Sequence, residues 1–410
     1  MRVCERYWLC VLHECNVKDE FLTPVIGLCS GVWFNTFNFP KTEVGSEKLR
    51  TPVQTLENLE MKKTLVAIAA LAAFGAQAQS TVTITGTVDP HYQIGKTTFA
   101  DSSKRSATEM VSGQVGTSNV TFSGTEDLGG GLKGLFLYEM DFDATVSGTG
   151  PTAGGQIYAG LSNSMGAIKL GVPNTPSLTT QGSRSGFGTK IGGGRSGLGL
   201  SGASRTRNSD SVLFESAVYN GFSAQYAYTA KATAGTLNNG LAAAQTQAEA
   251  ISDLGLFYAQ GPLAAGLSQY TQKDAVKHTT GFVSYTIGNA KVTYGMHTQN
   301  TTAAAVADTD VSGTTAAKIA VGQGKIKGNN IALNYTLTPT TTLLANIARA
   351  NDQTAVDRDL KMTAVGVKYE LSKRTSLNAR YISEKRDNAG AKSYVAKEVK
   401  TTLFGLQHNF

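Results

Sequence analysis

Beyond residue 33 the chain contains neither cysteine nor tryptophan. All four Cys (Cys4, Cys10, Cys15, Cys29) and both Trp (Trp8, Trp33) lie in the leading segment. Their spacing fits no zinc-binding or disulfide pattern, and nothing downstream could complete one, so no metal or other cofactor is expected. Charge is also scarce, at 16% of residues, and no run of 18 apolar residues follows residue 80, which excludes helical membrane spans from the bulk of the chain. No Gly-x-Ser-x-Gly nucleophile context occurs. The net charge of +7 is not gathered into a basic helix or an aromatic-spaced basic stripe, so no nucleic-acid partner is expected. What the chain does have is 45 glycines and 41% hydrophobic residues, neither biased enough for collagen nor for disorder.

Met61-Lys62-Lys63-Thr64, the apolar stretch Leu65 to Phe74 and then Ala76-Gln77-Ala78 read in order as the three parts of a secretory signal, cleaved after Ala76-x-Ala78. Residues 1–60 then read as upstream sequence translated from a start assigned too early. A genuine N-terminal appendage is the alternative. The domain layout is thus a leader (1–60), a signal peptide (61–78) and an exported chain (79–410).

From Thr81 onward, short segments alternate apolar and polar residues with the period of two that a half-exposed strand requires. Sixteen such segments can be counted, the last closing on Phe410. Turn residues such as Asn220-Gly221, Gly261-Pro262 and Gly288-Asn289 join them in pairs. Short turns alternate with longer polar connections, expected near 95–114, 143–155, 172–207, 229–250, 271–278, 298–328, 351–360 and 384–397. Short turns on one rim and long loops on the other predict an all-β fold, a 16-stranded antiparallel transmembrane barrel with periplasmic turns and extracellular loops. Ile331, Leu333, Tyr335 and Leu337 would face lipid, as would Val365, Val367, Tyr369 and Leu371. Lys368, Glu370 and Arg380 fall on the opposite faces. Because a cation at the bilayer midplane costs about 2–4 kcal/mol, these charges are expected to line water, in a wet interior rather than a packed core. Closure requires the first strand to pair with the last, and Phe410 is expected at a membrane–water boundary as the closing signal.

Several stretches resemble the general (trimeric) porins of beta-proteobacteria: Gly124-Thr125-Glu126-Asp127-Leu128-Gly129-Gly130-Gly131-Leu132-Lys133-Gly134, Tyr158-Ala159-Gly160-Leu161-Ser162 leading to Ile168-Lys169-Leu170-Gly171, Arg207-Asn208-Ser209-Asp210-Ser211-Val212, and Phe404 to Phe410. The resemblance runs through residues 79–410 in order. It implies an outer-membrane homotrimer whose barrels each pass small hydrophilic solutes and ions, narrowed by a third long loop folded inward. Members often carry wall arginines where this chain has Asn119, Gly155 and Val172; Arg207 remains.

That third loop, Val172–Arg207, has nine glycines and five basic residues (Arg184, Lys190, Arg195, Arg205, Arg207) and no Asp or Glu. Basic residues at a narrow, low-dielectric mouth favour anions. Together with inward Lys133 and Lys169, this predicts a weakly anion-preferring pore. The alternative function is a barrel hydrolase using His278 and His297. Lipopolysaccharide and outer-membrane lipid are the expected surroundings.

Overall fold

The computed structural model describes residues 81–148, 150–152, 154–193, 206–230, 249–302, 306–307, 320–321, 324–354, 359–386 and 396–410. The expected leader, the signal with Ala76 and Ala78, and two of the loop cations, Arg195 and Arg205, lie outside these residues. Eighteen hydrogen-bonded segments form one antiparallel sheet that closes into a barrel of sixteen strands, because the first two strands are each interrupted once. Strand β1 comprises Thr81–Val88 and Pro90–Phe99, and β2 comprises Lys104–Ser112 and Asn119–Gly129. The others are β3 Leu132–Asp141, β4 Ile157–Asn163, β5 Gly166–Val172, β6 Ser211–Ser216, β7 Phe222–Thr229, β8 Ile251–Gln260, β9 Leu263–Gln272, β10 Val276–Ile287, β11 Ala290–Thr301, β12 Gly324–Thr338, β13 Thr341–Thr354, β14 Leu360–Glu370, β15 Thr375–Arg386 and β16 Ala396–Asn409. A two-residue ladder, Val306–Ala307 with Ala320–Val321, stands apart in the β11–β12 connection.

The interruption of β1 falls at Asp89. Its carboxylate accepts from the backbone N–H of Val115 and Gly116, both at 2.9 Å, so it caps the bulge 113–118 that interrupts β2. An expected long connection disappears here. Residues 95–114 are mostly strand, and β1 and β2 are joined by a tight turn in which Asp101 Oδ1 accepts from Ser103 N (2.9 Å) and Ser103 Oγ (2.6 Å). The expected 271–278 connection is likewise strand except for a turn between Gln272 and Val276.

The two-residue periodicity divides the wall as its sequence requires. Ile331, Leu333, Tyr335, Leu337, Val365, Val367, Tyr369 and Leu371 are exposed on the outer face, while Ala332 and Ala364 are buried on the inner one. Near the short turns, Phe222, Tyr285, Tyr335, Tyr369 and Phe410 form an exposed outer set, with the half-buried Tyr258 ring against Phe222 at 4.6 Å, the aromatic girdle of a membrane interface.

Closure is made by β16 on β1, from His91 opposite Gly405 to Thr98 opposite Glu398. At the short-turn rim Gly86 and Phe410 exchange backbone hydrogen bonds at 3.2 and 3.0 Å. Gly86 leaves room for the Phe410 ring: a Cβ there would overlap Phe410 Cζ and the carbonyl oxygen of Asn119. Gly86→Val is therefore expected to lower barrel stability by about 1–3 kcal/mol through overpacking. In unheated gels the folded band would be lost at a lower temperature than for the parent. An unchanged transition would mean that the closing ring does not depend on this gap.

Candidate functional site

The long connection between β5 and β6 folds into the barrel and follows its inner wall. It begins with α1, Pro176–Gly182, whose N-cap Thr175 accepts from Leu178 N and whose Pro176 sits where no intrahelical N–H is needed. The helix is docked on β8 by Asp253, a buried wall carboxylate that accepts from Ser177 N and Ser177 Oγ, both at 2.8 Å. Its polar groups would be costly to bury without such partners.

One turn later Arg184 enters the wall and is 0% exposed. It donates to Asn330 Oδ1 from Nε (3.2 Å) and Nη2 (3.1 Å), reaches Thr280 Oγ1 at 3.5 Å, and lies 3.4 Å from His297 Nδ1. Asn330 returns a bond from Nδ2 to the Arg184 carbonyl (2.9 Å), so one carboxamide holds both the side chain and the main chain of the loop. Asn330 also donates to Asn346 (3.0 Å), which in turn donates to the Gly192 carbonyl (2.9 Å). The space for the guanidinium comes from Gly295, where a Cβ would overlap Asn330 Oδ1. Desolvation lowers the Arg184 pKa to about 9, which leaves it cationic at neutral pH. Arg184, expected to present its charge to the lumen, is instead an anchor buried between loop and wall.

Phe187 is the apolar counterpart of that anchor. It is 1% exposed and packs with Ile326, Ala348, Leu360, Met362, Ala364 and Ile382, all on the inner faces of β12–β15. The interior, expected to be wet rather than a packed core, carries one apolar patch, on the wall where the loop covers it. Arg380, expected to line water, is buried by the same contact. It donates to the carbonyls of Ile191 (3.1 Å) and Gln114 (3.3 Å), and its Cζ lies 5.1 Å from the Phe187 ring centre. Lys368, by contrast, stays in water, paired with Glu370 at 2.7 Å.

Among the described residues, the loop from Pro176 to Gly193 leans chiefly on β8–β15, opposite the wall of β2–β6. That wall carries Glu139 and Asp141 on β3, with Glu139 accepting from Asn119 Nδ2 at 3.0 Å. Lys190 and Arg207, both half-buried, lie close enough to Asp141 to act on it electrostatically. Arg207 also ties the loop's return to its start, donating to Asn174 Oδ1 (2.9 Å) and the Gly154 carbonyl (2.6 Å). Lys169 points inward as expected, but Glu215 pairs with it at 2.5 Å and Tyr158 lies beneath it at 5.0 Å, so its charge is offset. Lys133 is exposed beside the short β3–β2 turn, away from the loop.

His278 and His297 meet in the wall, with ring centres 6.1 Å apart, but at 0% and 3% exposure behind Arg184. Sequence reading missed Asp253, Asn330, Asn346 and Gly295. The available signal was their position, since each lies on an inner face of a strand facing the third loop.

A family model described as Gram-negative porin matches residues 64–389. The chain is 31% identical to outer membrane porin protein 32 of Delftia acidovorans over 83% of this chain and 94% of that one. It is 33% identical to an outer membrane porin protein of Bordetella pertussis over 52% of this chain, a match spanning three-fifths (60%) of the Bordetella protein. Among solved structures it is similar to an anion-selective porin from Comamonas acidovorans, with a TM-score of 0.65 at 21% identity, covering 81% of this chain and all (100%) of that one.

Proposed function

The chain belongs to the Gram-negative porin family, and on that premise we propose that it works as an outer-membrane diffusion channel for small hydrophilic solutes and ions, weakly preferring anions, in a homotrimer. The observation that carries the channel reading is the division of the wall. Apolar side chains cover the outside of a closed sheet, while the inside, apart from the patch under the loop, presents polar and charged groups to water. The described part of the third loop sits against one side of that interior, across from the charged groups Glu139 and Asp141.

Support for anion preference comes from the loop itself, which contains five basic residues and no carboxylate. Of the seven cations singled out, Lys190 and Arg207 are the described ones that carry the selectivity reading, and Arg195 and Arg205, outside the described residues, enter it from the sequence alone. Arg184 anchors, Lys169 is offset by Glu215, and Lys133 stands at the mouth. The solved Comamonas structure, described as anion-selective, agrees with this reading. The trimer is supported by Lys104–Ser112, which pairs with β1 along one edge and has no ladder on its other edge among the described residues. An open edge of that length needs cover. A hydrolytic role would require water to reach His278 or His297, and both lie behind Arg184.

Planar bilayers under a salt gradient test the reading. Stepwise conductance with a reversal potential displaced toward that of the anion is expected. Insertion without current would remove the channel, and a cation-signed potential would remove the anion preference while leaving the channel standing.

A further inference from the structure

The outer face of the barrel carries a row of like charges that pore function does not use. On β13, β14 and β15, Arg349 stands directly opposite Lys361, and Lys361 directly opposite Lys385. Strands in a sheet are about 4.8 Å apart, so the three side chains start within about 10 Å of one another. All three alternate in phase with the outward residues Ile347, Val365 and Tyr381, which are exposed. On β12, Lys327 and Lys325 continue the outward face opposite Asn351 and Gln353. On β16, Lys400 shares this face with Glu398, the one carboxylate on the outer faces of β12–β16 among the described residues. Glu398 pairs with Lys385 at 3.5 Å and Lys400 at 3.0 Å.

Like charges directly opposite in a sheet destabilise it. A cation facing lipid is tolerated only near the interface. This row lies at that level: below it the outward faces pass through at most one polar residue (Asn329, Thr363, Ser383 or Thr402) before running mainly apolar toward the short turns, and above it come the long connections. What stabilises several cations at the edge of an apolar band is an anion fixed at the same depth. A phosphate on a lipid headgroup meets that requirement, because its acyl chains would lie along Ile347, Val365 and Tyr381 while its oxygens meet the cations. Arg349 offers a planar fork for two oxygens, and the lysines offer point charges.

We infer that the Arg349–Lys361–Lys385 row binds the phosphorylated headgroup of an outer-leaflet lipid. The test is native mass spectrometry of the detergent-solubilised protein. The probes are a bisphosphorylated multi-acylated disaccharide lipid, its dephosphorylated form, and inorganic phosphate. The parent protein is expected to retain the bisphosphorylated lipid and not the dephosphorylated one, with millimolar phosphate failing to displace it. Arg349→Gln/Lys361→Gln/Lys385→Gln is expected to lose occupancy by about tenfold or more, since each cation near an anionic headgroup contributes substantially. Lys373→Gln/Arg374→Gln, at the opposite rim, is expected to bind as the parent does.

Single-channel conductance in the parent range verifies that the triple variant is folded. If it is not, Lys361→Arg/Lys385→Arg replaces it and is expected to keep the lipid, with salt titration of the parent as the second readout. Retention by the triple variant within about twofold of the parent overturns the site, as does equal binding of the dephosphorylated lipid or salt-insensitive binding. Displacement by free phosphate overturns the lipid as its occupant.

Discussion

Arg184→Ala is expected to enlarge the mean single-channel conductance and to add open-channel noise, although it removes a positive charge from the region of the pore. The reason is position. Arg184 is buried against Asn330, Thr280 and His297, so its deletion removes a loop attachment rather than a lumen charge. Hydrogen bonds to a charged group contribute about 1.5–3 kcal/mol each net, and an abandoned buried acceptor adds about 1–3 kcal/mol. Against this, Asn330 Nδ2 still reaches the residue-184 carbonyl, and Phe187 and Ser177 still hold their sites, so the loop is loosened rather than released. Asn330→Ala cuts both halves of the grip and leaves a buried guanidinium short of its acceptor, so its effect is expected to be larger. A double-mutant cycle between Arg184→Ala and Asn330→Ala would show coupling of about 1.5–3 kcal/mol in urea unfolding. Gly295→Ala reaches the same contact from the wall and is expected to reproduce the noise without removing any charge. If Arg184→Ala instead left conductance and noise at parent values and shifted only the reversal potential, Arg184 would be a selectivity residue after all.

The same residues mark how far the sequence could be read. Strand number and facing were legible because a barrel in lipid imposes one rule on every strand, and Ile331 to Leu337 obey it. The upper half of β2 was not: Lys104, Arg105 and Glu109 sit at a wet rim where that rule lapses, so a paired strand carries the composition of a loop. Arg184 reads as an exposed loop cation until its partner, 146 residues away, is brought beside it. Nothing local distinguishes it from Lys190. The inner apolar patch did leave a trace. Met362 and Ile382 are apolar residues on faces expected to be polar, which is what a wall covered by another part of the chain would show. The pairing of the first strand with the last needed only the demand that a barrel have no edge, whereas the fit of Phe410 against Gly86 became visible only in the structure.

Neutralising the two half-buried lumen cations, Lys190→Gln/Arg207→Gln, is expected to reverse the selectivity from weakly anionic to cationic at low salt. Both act on Asp141, and Glu139 lies beside it on the same strand, so removing the cations exposes two carboxylates to the passage. A unit charge about 5 Å from a permeating ion is worth about 0.8 kcal/mol in bulk water, and more beside a low-dielectric wall. Each charge therefore changes local ion occupancy several-fold. Screening supplies the control: the shift in reversal potential is expected to be large at about 0.01 M, where the Debye length is about 30 Å, and small at 1 M, where it is about 3 Å. Arg207 also holds Asn174 and Gly154, so its loss alone could disturb the loop. Lys190→Gln alone, and Lys190→Arg as the charge-conserving partner, separate the two causes. Lys190→Arg keeps the parent sign if charge is what matters. Glu139→Gln/Asp141→Asn provides the opposite perturbation and is expected to deepen anion preference. If the neutralised pore stayed anion-preferring with the parent's salt dependence, the selecting charges would lie elsewhere in the lumen, and the passage along β2–β6 would not be the route the ions take.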